Sequence, residues 1–104
     1  MTIKNLTPHI ITVIKENGET LKFEPTGIVP RVSVNIKPTG NDLLFNQTFG
    51  KVVDLPNEEE DTIYIVSAMI LNACPERKDL YAPMTSKAIR NEEGQIIGVR
   101  GLVR

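Results

Sequence analysis

Thr62-Ile63-Tyr64-Ile65-Val66, followed at once by Ser67-Ala68-Met69-Ile70-Leu71-Asn72-Ala73 and closed by Pro75, sets the fold class. The first five residues form a short, nearly unbroken apolar run, the pattern of a strand buried on both faces. The next seven change character. Ala68, Met69 and Leu71 favour helix, Ser67 is a favoured N-cap, and the residue before Pro75 is turned away from helical geometry. The stretch therefore predicts a buried central strand leading into one or two helical turns.

Upstream lies Glu58-Glu59-Glu60-Asp61, a like-charged run that repels itself and reads as a solvated loop. Before it, Leu43 to Phe49 and Lys51 to Leu55 read as strands, with Gly50 a bulge or bend between them. Val29 to Ile36 alternates cleanly, with Val32, Val34 and Ile36 on one face and Arg31, Ser33 and Asn35 on the other. Further back, His9 to Glu16 is β-branched and meets Glu19 to Phe23 across Asn17-Gly18, a strong hairpin signal. Pro-Thr-Gly at 25–27 and 38–40 reads as a turn both times, with Gly in the left-handed position. Downstream, Pro75 to Pro83 reads as a stiff loop with two prolines. Lys87 to Asn91 and Gln95 to Val103 flank Glu92-Glu93-Gly94 as another hairpin. The sum is about seven short strands and one short helix. The expected fold is a single mainly β domain over residues 1–104, an antiparallel sandwich or small barrel.

Composition narrows the functional classes. Of 104 residues, 40% are hydrophobic and 24% charged, which are globular values. Lys plus Arg number 12 and Asp plus Glu 13, so the basic surplus of a duplex-binding domain is missing. Outside the acidic run, 12 basic residues face 9 acidic ones, a net +3 that suits a small anion better than a nucleic-acid polymer. Aromatic residues make up 5% and Trp is absent, a poor supply for stacking single-stranded bases. No apolar run reaches the ~20 residues of a spanning helix, so no membrane partner is expected. Met1 to Asn5 shows no secretory pattern, and residence in the (host) cytoplasm is the expectation. A single cysteine excludes an internal disulfide and a Cys-rich zinc centre.

Several residues are candidates for a site, each beside a plainer role. Ser67 caps a helix; the same hydroxyl, with free backbone N–H groups, also suits an anion. Arg31 lies on the polar face of an alternating strand, either solvated or following the edge of a polar ligand. Arg77 with Asp79 forms a surface ion pair or grips a phosphate and a ribose hydroxyl together. His9, the only histidine, serves a turn or acts as a general acid or base; it has no Cys, Asp or Glu at ligand spacing, so no metal is expected. Cys74 reads as a small buried hydrophobe, with pairing to His9 as its catalytic alternative. P-loop, Gly-x-Gly-x-x-Gly, His-Glu-x-x-His and Gly-x-Ser-x-Gly motifs are absent.

Asn5-Leu6-Thr7-Pro8-His9, Ile63-Tyr64-Ile65-Val66-Ser67, Arg77-Lys78-Asp79-Leu80-Tyr81-Ala82-Pro83, Ile89-Arg90 and Gly94-Gln95-Ile96-Ile97-Gly98 together resemble a family of small proteins carried by phages, prophages and diverse bacteria. The resemblance covers nearly the whole chain. It implies a phage or mobile-element setting more than a reaction. In that setting a small β-rich protein without enzyme motifs is expected to act by binding, either to a host protein or to a nucleotide-derived immune signal. The polar residues Asn5, His9, Ser67, Arg77, Asp79 and Arg90 of these segments, with Arg31, offer guanidinium groups, a hydroxyl, a carboxylate and an imidazole. The leading expectation is therefore a non-enzymatic counter-defence protein that sequesters a nucleotide-like anion, such as a cyclic nucleotide or cyclic ADP-ribose, without a cofactor. Its pocket would be shared in a homo-oligomer, because so short a chain has little room for a deep one. The alternatives are a small enzyme on a phosphodiester or glycosidic bond with His9 as acid or base, and a protein-interaction or virion-associated module.

Overall fold

The structure, a computed structural model, describes residues 1–104. Its elements run β1 (Thr2–Asn5), β2 (Ile11–Ile14), β3 (Thr20–Phe23), β4 (Arg31–Pro38), β5 (Phe45–Val53), β6 (Thr62–Ile65), α1 (Ala68–Ala73), β7 (Leu80–Pro83), β8 (Ala88–Arg90), β9 (Ile96–Val99) and β10 (Leu102–Val103). The protein is mainly β with one short helix, and none of its sheets closes into a barrel.

The apolar run at 62–66 is indeed the centre. β6 lies between β1 and β7, parallel to both, in a sheet of order β1-β6-β7-β10. Tyr64, Ile65 and Val66 are almost wholly buried. Tyr64 and Val66 join Leu6, Ile70, Cys74 and Leu80 in the main core, against which Val32, Val52 and Leu55 also pack. The helix and the base of the β4–β5 hairpin thus cover one face of this sheet. A second sheet, of order β3-β2-β9-β8, contains the Asn17-Gly18 hairpin. Gly18 takes φ +91° there, a conformation that L side chains rarely adopt.

Three features differ from the sequence expectation. Leu80–Pro83 is a strand and not a loop: Pro75 lies before it, and Pro83 at its last position pairs with Leu102 of β10. Strands also pair in parallel, because the connection from β1 to β6 is long enough to return the chain in the same direction. And β1, together with the division of Gln95–Val103 into β9 and the two-residue β10, raises the number to ten. They are too short for alternation to single them out.

The β4–β5 hairpin forms a sheet of its own, an arm. The two strands expected at 43–49 and 51–55 are one, β5, and Gly50 lies at a bulge within it: between Val32↔Val52 and Val34↔Phe49 the register shifts, and a Cβ on Gly50 would collide with Ser33 Oγ. The arm stretches the molecule to 51 × 38 × 21 Å, with a radius of gyration of 16.0 Å. A compact chain of this length would give ~13 Å.

Candidate functional site

Asn5 ends β1 and is 1% exposed. Its amide nitrogen donates to the carbonyls of His9 (2.7 Å) and Phe23 (2.8 Å). Its side-chain oxygen accepts from the Thr7 N–H (2.9 Å) and the Thr7 hydroxyl (2.7 Å). Every hydrogen-bonding position of the amide is therefore filled from within the chain. Asn5 ties the end of β1 to the following turn and to the end of β3. His9 contributes its backbone carbonyl to this knot, while the residue itself is exposed.

Arg77 and Asp79 meet as a bidentate pair, Nε to Oδ1 at 2.9 Å and Nη2 to Oδ2 at 2.8 Å. Their side chains are only 16% and 12% exposed. Nη2 also donates to the Pro56 carbonyl at 3.0 Å, and Glu58 stands 3.3 Å from Nε. The guanidinium thus fastens the acidic loop to the connection between α1 and β7. The hydrogen bond from Arg77 holds the Asp79 carboxyl below the usual carboxylate range, outweighing the desolvation that would raise it. A lowered native pKa adds stability above the unfolded carboxyl value, ~3.9, and that stability is lost as pH falls through the native value. Thermal melts between neutral pH and pH ~2 should show this acid loss in the wild type, and a smaller one in Asp79→Asn.

Ser67 caps α1, its hydroxyl accepting from the Ile70 N–H at 3.3 Å. Ser67→Ala should cost about 1 kcal/mol in urea unfolding, the usual value of such a cap. Cys74 closes the helix within the core, where burial pushes its thiol pKa up and away from the nucleophilic thiolate. Arg90 donates to the Gly94 carbonyl at 2.7 Å across its own hairpin turn.

Arg31 lies at the base of the arm, in an open cleft of about 650 Å³ with Gly27, Ile28, Val29, Asp54, Leu55 and Pro56. Arg77 lines a different hollow, of about 360 Å³, together with Lys78 and Arg104. Ser67 and Arg90 line neither. Within one chain, Arg31, Ser67, Arg77 and Arg90 do not surround a common cavity. Lys78 and Arg104 were absent from the sequence candidates; the proximity of Arg104 to the 77–78 loop, Nη1 to the Lys78 carbonyl at 3.4 Å, is a product of the fold.

The most distinctive surface is one the sequence reading passed over. Directly paired residues in the arm place their side chains on one face. Val34↔Phe49, Ile36↔Gln47 and Pro38↔Phe45 form a face that is apolar except for Gln47, and Asn35↔Thr48 and Lys37↔Asn46 a polar one. The apolar face continues the line of Val32 and Val52, which are packed on the core, but it runs out into solvent. Ile36 is 64% exposed, Phe45 59% and Leu43, at the tip, 86%. The tip is held in shape by its own hydrogen bonds. Thr39 Oγ1 donates to the Leu44 carbonyl at 2.9 Å, and the Leu43 N–H donates to Asn41 Oδ1 at 2.9 Å. Leu43 and Leu44 are therefore displayed by an ordered turn.

No known family model matches the chain, and no match was found among curated proteins or solved structures.

Proposed function

We propose that this protein is a non-enzymatic protein-interaction module whose working part is the β4–β5 arm. The observation that carries the reading is the apolar face that starts against the core at Val32 and Val52, passes half-buried Val34, and continues exposed along Ile36, Phe45 and Phe49. A two-stranded hairpin alone is marginally stable in water. Covering each large side chain of this face stabilises a complex by up to about 1.5–3 kcal/mol. A contiguous exposed apolar patch is the usual mark of a protein contact. A virion component or a phage protein directed at a host protein fits this reading. The immobilised protein should capture a partner, itself included, and Ile36→Asp/Phe45→Asp should lose that capture at an unchanged melting temperature. Equal capture by the variant, or none by the wild type, would overturn the reading.

A second reading rests on the hollow where Lys78 and Arg104, neither in a salt bridge, stand beside the Arg77 already paired with Asp79 and Glu58. It suits a small anion of the nucleotide type. Calorimetric titration with cyclic dinucleotides and cyclic ADP-ribose isomers should then give saturable heat that Lys78→Ala diminishes. Heat at baseline for every ligand removes this reading.

A further inference from the structure

We propose that the surface covering the arm belongs to a second copy of this chain, and that the arm tip of one copy seats in the groove between the two four-stranded sheets of the next. The inference rests on the arm being a docking surface and adds its occupant. The groove is lined chiefly by Ile3, Val13, Leu21, Phe23, Ile63 and Leu102 and encloses about 270 Å³. Like the arm, it is apolar and only partly covered: Ile3, Phe23, Ile63 and Leu102 are half-buried and Leu21 is exposed. One chain therefore carries both an exposed apolar projection and an apolar hollow.

Topology prevents an arm from filling its own groove. The base of the arm packs on the Tyr64 and Leu80 face of the central sheet. Ile63 and Tyr81, which line the groove, alternate with those residues along β6 and β7 and so lie on the opposite face. The arm leaves the molecule on one side, and the groove opens on the other.

Charge favours the same pairing. Arg31, Lys37 and Lys51 of the arm take part in no salt bridge. The acidic run borders the groove, since Glu58, Asp61 and Asp79, with Lys78 as the one side-chain cation, line a neighbouring depression that shares Met1, Ile63 and Tyr81 with it. Lys4, Arg77 and the Met1 amino group pair with Glu59, Glu58 and Asp61, and Glu60 has no cation. Asp42, beside Leu43, is the arm's one acid, so an arm of net +2 that ends in Leu43 and Leu44 meets an apolar groove with an acidic border. The two surfaces differ, so the contact is head-to-tail and builds a ring or a filament.

Two variants test this in combination. Leu43→Asp/Phe45→Asp breaks the arm and keeps the groove; Leu21→Asp breaks the groove and keeps the arm. Melting curves check that each folds, with Leu21→Ser replacing Leu21→Asp if the latter melts early. In sedimentation equilibrium the wild type should grow in mass with concentration, and each variant alone should stay monomeric. Their equimolar mixture should form a heterodimer and nothing larger, because only one intact arm and one intact groove remain per pair. A Leu21→Asp variant that self-associates alone as the wild type does means that arms pair with arms, and overturns the proposal, as does a mixture that stays monomeric. A wild type that stays monomeric but captures another protein through the arm also overturns it, and leaves the interaction reading intact. Loss of both self-association and arm-dependent capture ends both.

Discussion

Replacing Asn5 with alanine will remove about 3–5 kcal/mol of folding stability. The substitution deletes four hydrogen bonds, and two of them, to the Thr7 N–H and hydroxyl, are fully buried. Each buried group left without a partner costs about 1–3 kcal/mol, far more than the net gain of an average hydrogen bond. Thr7 Oγ1 still reaches the His9 carbonyl at 3.0 Å, so that carbonyl keeps a donor. The Phe23 carbonyl and the Thr7 N–H lose the partner that Asn5 supplied. Against a typical total stability of ~5–15 kcal/mol, this is a large fraction. Urea unfolding should show a lower midpoint with an unchanged slope. A loss under about 1 kcal/mol would mean that water replaces the amide, and that Asn5 is not the structural knot described above.

Breaking the Arg77–Asp79 pair will cost nearly as much, and replacing it will not. Arg77→Ala leaves a mostly buried carboxylate without its guanidinium and a Pro56 carbonyl without its donor. Removing one partner of such a pair costs about 3–5 kcal/mol, because the remaining charge stays buried. The lower end applies here, since both side chains retain some contact with water. Glu58 adds little, because its side chain is 64% exposed. The double replacement Arg77→Met/Asp79→Leu should recover most of the loss, as apolar substitutes of similar size often do. If the single and double variants are equally destabilised, the shape of the 77–79 turn matters and the charge pair does not.

Asn5, Arg77 and Asp79 have the chemistry of a ligand site, and in the folded chain they spend that chemistry on one another and on backbone groups. Sequence shows which donors and acceptors exist; only the fold shows which are already satisfied. The central strand, the helix capped by Ser67, the Asn17-Gly18 hairpin and the Gly50 bulge were legible because each depends on local signals that the tertiary structure respects. Leu80–Pro83 was not, since a four-residue strand paired in parallel with distant β6 has no local signature. The arm shows a subtler limit. Alternation at Val32, Val34 and Ile36 correctly put these side chains on one face, but periodicity does not say what covers a face. Core atoms cover Val32; Ile36, four residues on, is left to solvent.

The account therefore turns on whether residues 34–49 are the part of the molecule that becomes covered. Amide hydrogen exchange, followed peptide by peptide over a concentration series and with any captured partner, measures this directly. The ribbon amides should exchange quickly in dilute protein and gain protection in step with complex formation. Protection that rises elsewhere while peptides spanning 34–49 exchange at the same rate in every sample would contradict the account.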